Sequence, residues 1–172
     1  MKKLIFYAVA LLSVASLLNG CKKDDGNESK DPNVEGVDGN ESKDPNVEGV
    51  FWLEEVTTDP SMTPGFYLKD GNMSYCGYAK DDDGAAKLSE ASGKTVKKGN
   101  IVLYEYVGAY TIVKNEDGTS GTIKYPSGKI EYSGLTENSV FFVVYDSDGD
   151  EITRVQLSSL EYLGFPVTGI VE

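Results

Sequence analysis

The sequence contains no histidine among its 172 residues. Histidine is the usual general base at neutral pH, the commonest metal ligand and the residue that activates a serine or cysteine nucleophile. Basic residues are also few, because 16 Lys plus Arg stand against 28 Asp plus Glu and the net charge is −12. No basic stripe that would follow a phosphate backbone is present. We therefore expect no enzymatic activity, no metal, no cofactor and no nucleic-acid partner.

The longest apolar run is too short to cross a bilayer as a helix. Residues 4–18 form a run of fifteen, whereas a spanning helix needs ~20 residues. The run follows a cationic start, Met1-Lys2-Lys3, and precedes the small residues Asn19-Gly20 and then Cys21. This pattern predicts a signal peptide over residues 1–20, cleaved between Gly20 and Cys21. A membrane anchor is the alternative.

Leu18-Asn19-Gly20-Cys21 resembles a bacterial lipobox. The resemblance implies lipid attachment at Cys21 through a diacylglyceryl thioether and an N-acyl chain, more than the two hydrophobic signals that stable anchoring requires. A secreted protein with a spare cysteine is the alternative. Lys22-Lys23-Asp24-Asp25 is similar to the charged segment after the lipidated cysteine in surface-exposed lipoproteins of Bacteroidetes. That similarity implies a protein of the outer membrane, exposed at the cell surface, with the periplasmic face as the alternative.

Residues 25–50 are a thirteen-residue segment, DGNESKDPNVEGV, written twice without a difference. The two copies hold ten charged residues and only four apolar side chains, all valine, too few to bury an ordered core. A tolerated duplication also indicates a segment without fixed neighbours. We expect residues 21–50 to form a disordered tether, whose two copies span roughly 25–31 Å as a flexible coil. A pair of recognition peptides is the alternative, although the segment lacks an aromatic anchor.

Residues 51–172 differ in composition from the tether. Aromatic residues appear, turn signals recur every eight to twelve residues, and no stretch keeps a helical period, which is typical of an all-β domain. The predicted strands are residues 50–57, 65–68, 73–79, 101–107, 109–114, 121–125, 129–134, 139–145 and 151–157. A helix is predicted around residues 85–91.

Four turn signals connect these predicted strands as hairpins. Asp70-Gly71 is a two-residue signal for a primed turn, and Glu116-Asp117-Gly118 closes a second hairpin. In Pro126-Ser127-Gly128, proline suits a type I turn and glycine a left-handed position after it. Asp146-Ser147-Asp148-Gly149-Asp150 closes the fourth. The result is an antiparallel up-and-down meander that closes into a small barrel or packs as a two-sheet sandwich, which removes its exposed edges.

The succession of motifs in this region resembles the lipocalin-like, calycin-type domains of small Bacteroidetes lipoproteins. The motifs are residues 108–112, the Gly128 turn, residues 132–139, and the DSDGDE turn before Ile152-Thr153-Arg154. The resemblance implies a small barrel that holds one small apolar ligand. It also implies that the single tryptophan, Trp52, packs against the single arginine, Arg154, and closes the barrel by a cation–π contact. Ordinary packing for Trp52 and a surface ion pair for Arg154 are the alternatives.

The remaining candidates for chemistry have simpler interpretations. The acids of residues 146–151 suggest a calcium loop, but the glycine stands fourth instead of sixth, so a hairpin turn bearing acids fits better. Lys80-Asp81-Asp82-Asp83-Gly84 is interpreted as a solvated turn. Cys76 has no partner for a disulfide once Cys21 is lipidated, and its neighbours indicate a small buried hydrophobic residue.

Together these features predict a monomeric, lipid-anchored protein of the cell envelope that binds without catalysis. The expected ligand is a small apolar or amphipathic molecule, held in a cavity lined by Tyr, Phe and Leu side chains. The alternative is a structural or interaction protein whose filled barrel contacts a glycan or protein partner through its loops. That alternative would show an exposed aromatic patch. The sequence assigns no ligand-binding residue.

Overall fold

The computed structural model describes residues 45–172. The predicted signal peptide, Cys21 and the tether up to residue 44 lie outside the described residues. The strands are β1 (Phe51–Glu54), β2 (Met62–Lys69), β3 (Asn72–Ala79), β4 (Asn100–Ala109), β5 (Thr111–Lys114), β6 (Gly121–Tyr125), β7 (Gly128–Ser133), β8 (Ser139–Asp146), β9 (Glu151–Ser159) and β10 (Gly169–Val171). The helices are α1 (Asp82–Ser92) and α2 (Leu160–Leu163).

All ten strands belong to one sheet with the order β10-β4-β3-β2-β1-β9-β8-β7-β6-β5. Every ladder is antiparallel except that between β10 and β4, which is parallel. Strands that follow one another in the chain are paired across each of the four predicted hairpins. The all-β class and the antiparallel up-and-down course are therefore confirmed.

The sheet curls back on itself at Tyr110. β4 lies next to one edge of the hydrogen-bonded order and β5 forms the other edge, yet Tyr110 alone separates them in the chain. Consecutive Cα atoms are about 3.8 Å apart, so the end of β4 and the start of β5 are adjacent, and β4 also contacts β6. The ladder itself stops at β5 and β10. Within residues 45–172 the sheet is thus curled, and hydrogen bonds do not close it into a barrel.

The inner face of the curled sheet is filled by a main hydrophobic cluster. Its members, each at most 8% exposed, are Val47, Trp52, Phe66, Leu68, Met73, Tyr110, Ile123, Ile130, Tyr132, Leu135, Val140, Phe142, Val144, Val155 and Leu157. Phe66 and Phe142 meet edge to face across this cluster, with ring centroids 5.5 Å apart, a favoured aromatic geometry. Large side chains therefore occupy the space in which an internal cavity was predicted.

Helix α1 begins where a solvated turn was predicted, so that interpretation of Lys80-Asp81-Asp82-Asp83-Gly84 is wrong. Asp81 is the N-cap, and its Oδ1 accepts a hydrogen bond from the Gly84 amide at 2.9 Å. Asp82 and Asp83 lie in the first turn, where carboxylates interact favourably with the helix dipole. The three acids therefore start a helix. Leu88 of α1 is buried in a second cluster with Ala79, Ala85, Val96 and Val102.

Lys87 ties α1 to the loop between β1 and β2. Its Nζ lies 2.8 Å from the carboxylates of both Asp59 and Asp83, and 3.0 Å from Ser61 Oγ. The hydrogen bond from Lys87, followed by those from Ser61, lowers the pKa of Asp59 to about 2. The charged form of Asp59 is thus the form that holds the helix in place.

The outer face of β1 to β4 is covered by the C-terminal segment, residues 160–171. Alternation along β1 places Trp52 in the main cluster and Leu53 in a third one. The third cluster contains Leu53, Cys76, Tyr78 and Ile101, with Phe51, Tyr67, Leu103, Leu160, Leu163 and Phe165 packed against it. Neither α2 nor β10 was predicted from the sequence.

The hairpin turns follow the predicted chemistry. Asp70 and Gly71 both have positive φ, 51° and 75°, as a primed turn requires. Gly128 also has a positive φ, 157°, which residues with a side chain rarely adopt. Space requires glycine there as well, because a Cβ would lie 2.0 Å from the Tyr145 carbonyl oxygen.

The folded unit begins before Phe51. Val47 is fully buried in the main cluster, and the amide of Gly49 donates to the Leu68 carbonyl oxygen at 2.7 Å. Residues 47–50, predicted to belong to the tether, are thus part of the packed domain. The predicted boundary at Phe51 is corrected to Val47, because tertiary contacts order a segment whose own composition is too polar to do so.

Candidate functional site

The predicted contact between Trp52 and Arg154 does not form. Trp52 is fully buried, and its Nε1 donates to the Val47 carbonyl oxygen at 2.9 Å. The Arg154 side chain is 65% exposed, and its Nε and Nη2 donate to Glu151 at 2.6 and 2.7 Å. Val155 points into the main cluster, so alternation directs the neighbouring Arg154 away from it. A surface ion pair, the alternative for Arg154, is what the structure contains.

The acidic turn between β8 and β9 is a hairpin turn stabilised from within. Asp146 Oδ1 accepts hydrogen bonds from the amides of Asp148 and Asp150, at 3.0 and 2.9 Å. In residues 45–172, no three or more acidic or cysteine side chains are grouped as metal ligands would be. The hairpin interpretation of this turn is confirmed.

Cys76 lies on β3 in the third cluster and is fully buried. Burial strongly raises the pKa of its thiol, because desolvation disfavours the thiolate. The prediction of a small buried hydrophobic residue at this position is confirmed.

A stacked aromatic pair lies on the outer face. The rings of Tyr78, on β3, and Phe165, after α2, have centroids 4.7 Å apart and planes inclined by 19°. The Tyr78 hydroxyl donates to the Pro166 carbonyl oxygen at 3.0 Å. Burial raises the pKa of Tyr78, because desolvation disfavours the phenolate. The hydrogen bond and the stacking together hold the C-terminal segment against β3.

This aromatic pair forms one wall of a concavity of about 420 Å³. We call it the basic concavity; its lining residues are Tyr78, Lys80, Lys98, Gly99, Phe165, Pro166 and Thr168. Thr168 connects the C-terminal segment to the residues before β4, because its Oγ1 donates to the Lys98 carbonyl oxygen at 3.1 Å and accepts from Asn100 Nδ2 at 3.0 Å. The basic concavity is therefore built by three separate parts of the chain.

Two lysines give the basic concavity its charge. The Lys80 Nζ lies 6.0 Å from the centroid of the Phe165 ring, within the range of a cation–π interaction. Lys98 also lines the concavity and is exposed. Neither lysine forms an ion pair with another residue of the described domain. The basic concavity thus offers two lysine charges without an ion-pair partner among residues 45–172, beside an aromatic surface, on a protein whose net charge is −12.

A second concavity, of about 490 Å³, also includes Phe165 in its lining. Its lining residues are Gly49, Val50, Phe51, Glu137, Ser159, Leu160, Glu161, Gly164, Phe165 and Val167. The charged residues among them are Glu137 and Glu161, so we call it the acidic concavity. Phe165 therefore lines two concavities whose charged residues have opposite sign.

Sequence patterns did not identify Lys80, Lys98 or Phe165 as site residues. A usable local signal exists in Ser159-Leu160-Glu161-Tyr162-Leu163-Gly164, where Ser159 and Gly164 are the N-cap and C-cap of α2. Such a start and stop signal predicts a short helix. No local pattern, however, indicates that the residue after this helix stacks on Tyr78.

Comparisons with family models, with curated proteins and with solved structures return no significant match. Neither helix of residues 45–172 has the length and apolar character needed to traverse a bilayer. The chemistry of the two concavities is accordingly derived from their own residues.

Proposed function

We propose that this protein is a lipid-anchored lipoprotein of the cell envelope that binds a small amphipathic anion without catalysis, and that the basic concavity is the binding site. The ligand would have an apolar or aromatic body and a carboxylate or phosphate group. One observation carries the proposal: the stacked Tyr78 and Phe165 rings line the same concavity as Lys80 and Lys98. Aromatic rings offer apolar contact, and the lysines attract an anion that the acidic remainder of the surface repels.

The volume and position of the site support a small ligand on the outer face. About 420 Å³ falls within the roughly 300–1,000 Å³ of small-molecule sites. The inner face, by contrast, is filled by residues such as Trp52, Phe66 and Phe142. The ligand that was predicted to bind inside a barrel is therefore proposed to bind on the outer face of the curled sheet.

A matched pair of probes tests this proposal. 3-Phenylpropionate and the neutral 3-phenylpropanol share a ring and a chain and differ in charge. We expect tighter binding of the anion, with the preference reduced roughly two- to fivefold by Lys80→Gln, as the loss of an exposed cation–π contact and its charge implies. The measurement is an NMR titration of the full-length protein in detergent.

Lys129→Gln is the control for the probe titration. Lys129 Nζ lies 4.4 Å from the centroid of the Tyr145 ring, far along the chain from the basic concavity. This variant removes the same charge and a similar contact with a ring. Equal effects of Lys80→Gln and Lys129→Gln, or equal binding of the two probes by the original protein, would contradict the proposed site.

The lipid anchor is tested by the two cysteines of the chain. We expect metabolic labelling with a fatty acid to be lost in Cys21→Ser and kept in Cys76→Ala, because Cys76 is fully buried and Cys21 lies in the lipobox-like motif. Protease accessibility on intact cells then distinguishes the cell surface from the periplasmic face. Labelling that persists in Cys21→Ser would contradict the anchor.

The filled inner face also favours the second candidate, a structural or interaction lipoprotein that contacts a glycan or protein through its loops. Exposed aromatic side chains include Tyr106 and Tyr162, at 63% and 59%. This candidate predicts that Tyr106→Ser weakens attachment to the partner surface while Phe165→Ala does not. The proposed small-ligand function predicts instead that Phe165→Ala weakens binding of 3-phenylpropionate and that Tyr106→Ser does not.

A further inference from the structure

The end of the second thirteen-residue copy is a docked peptide, residues 46–50. The Val47 side chain is fully buried in the main cluster, and its carbonyl oxygen accepts the hydrogen bond from Trp52 Nε1 at 2.9 Å. The Glu48 carboxylate accepts a hydrogen bond from the Tyr110 hydroxyl. The Gly49 amide donates to Leu68. These contacts use an apolar side chain, a carboxylate and the backbone, as peptide recognition usually does.

The backbone conformation of the docked peptide also restricts which residues can occupy it. Gly49 has φ +79°, a conformation that side-chain-bearing residues rarely adopt. The Glu48 amide turns back to Asn46 Oδ1 at 3.4 Å. A segment that replaces this one therefore needs an apolar residue, an acid and a glycine in succession, ideally after an asparagine.

The first copy supplies that sequence. Residues 33–37 read Asn-Val-Glu-Gly-Val, as residues 46–50 do. We propose that the groove around Trp52, Leu68 and Tyr110 is a peptide-binding surface with two cognate segments in the same chain, and that residues 33–37 dock in it when residues 46–50 do not. Val34, Glu35 and Gly36 then take the places of Val47, Glu48 and Gly49.

Docking of residues 33–37 carries an entropic cost of loop closure that docking of residues 46–50 does not. When residues 33–37 dock, residues 38–50 form a closed loop of thirteen residues before Phe51. The statistical weight of a flexible chain with its ends held together falls with the three-halves power of the loop length. Docking of residues 33–37 is therefore disfavoured roughly fiftyfold relative to docking of residues 46–50. The second copy therefore docks in nearly all molecules of the unaltered protein.

The exchange also changes the reach of the tether. Docking through the first copy removes thirteen residues from the segment that begins at Cys21. A flexible coil of the remaining length spans roughly 17–21 Å instead of roughly 25–30 Å. On a lipid-anchored protein, the duplication thus provides two distances between the domain and its membrane.

The repeat supplies its own matched variants for a test. Val34→Asp and Val47→Asp make the same change in the same local sequence. We expect Val34→Asp to leave the folding equilibrium unchanged and Val47→Asp to lower it only about fiftyfold, because the first copy takes over. In the double variant the folding equilibrium constant should fall roughly a thousandfold or more, since either copy then places a buried carboxylate in the main cluster. The measurement is denaturant unfolding of the full-length protein in detergent.

The outcome that overturns the proposal is equal stability of Val47→Asp and the double variant. A direct readout accompanies the unfolding data: the Val34 methyl resonances of Val47→Asp should move to the ring-current-shifted positions that Val47 has in the original protein. Val34 resonances that stay unshifted also overturn it. Rescue that grows with protein concentration would show exchange between molecules and overturn docking within one chain.

Discussion

The inner and outer faces of the same sheet are packed in different ways. The inner face is covered by the rest of the curled sheet, and Trp52, Leu68 and Phe142 lie there almost without exposure. Among residues 45–172, the outer face of β1 to β4 is covered by the short C-terminal segment. Two concavities remain along this strip of about a dozen residues, and Phe165 lines both of them. Stability is therefore concentrated inside, and the binding site proposed above lies outside.

The largest expected effect comes from the inner face. Trp52→Ala should lower the free energy of unfolding by about 3–5 kcal/mol, because it leaves a cavity and removes the donor that satisfies the Val47 carbonyl. Val56→Ala, at a side chain 82% exposed, is the control and should change it by less than about 0.5 kcal/mol. Denaturant unfolding measures both. A loss below about 1 kcal/mol for Trp52→Ala would mean that the inner face is not the main source of stability.

Phe165→Ala should have a smaller effect on stability and a larger one on binding. Loss of the stacked ring should lower the free energy of unfolding by about 1–2 kcal/mol, and binding of 3-phenylpropionate should be lost with it. Tyr162→Ala removes an exposed ring from the same segment and serves as the control. Thermal unfolding and the probe titration give the two values. Intact binding by Phe165→Ala would separate the ligand from the outer face.

The smallest expected effect concerns the attachment of α1. The pKa of Asp59 in the folded protein is lowered from its usual 3.8 to about 2, so between these values the unfolded chain binds more protons. Stability from this contact is therefore present above about pH 4 and is lost as the pH falls toward 2. Lys87→Gln should flatten this part of the pH profile, and Lys124→Gln should not. An unchanged acid profile for Lys87→Gln would contradict the assignment.

Local sequence signals predicted the hairpin-connected strands well. β6 matches its predicted bounds, and β8 ends one residue later than predicted, because alternation and turn residues are features of neighbouring positions. The helix around residues 85–91 was predicted three residues short at its start and one at its end. Its start was missed because Asp81 reads equally well as a turn residue and as a cap.

Contacts between distant parts of the chain were not predictable in the same way. β10 is three residues long and pairs in parallel with the start of β4, about seventy residues earlier. Phe165 stacks on Tyr78, which also lies many residues earlier in the chain. Val47 belongs to the core although its segment is polar, since contacts with the distant residues Leu68 and Tyr110 hold this segment beside the hydrogen bond from Trp52. The contact of Arg154 with Trp52 was predicted from a family resemblance and is wrong. Strand alternation, which directs Arg154 outward, predicted its position correctly.

The measurement that tests the central claim most directly is where 3-phenylpropionate binds. Intermolecular nuclear Overhauser effects from its ring should connect to the side chains of Tyr78 and Phe165, and the Gly99 amide should shift during the titration, because all three line the basic concavity. Overhauser effects to the inner-face side chains Ile123 and Ile130, without any to Phe165, would place the ligand inside the sheet and contradict the account.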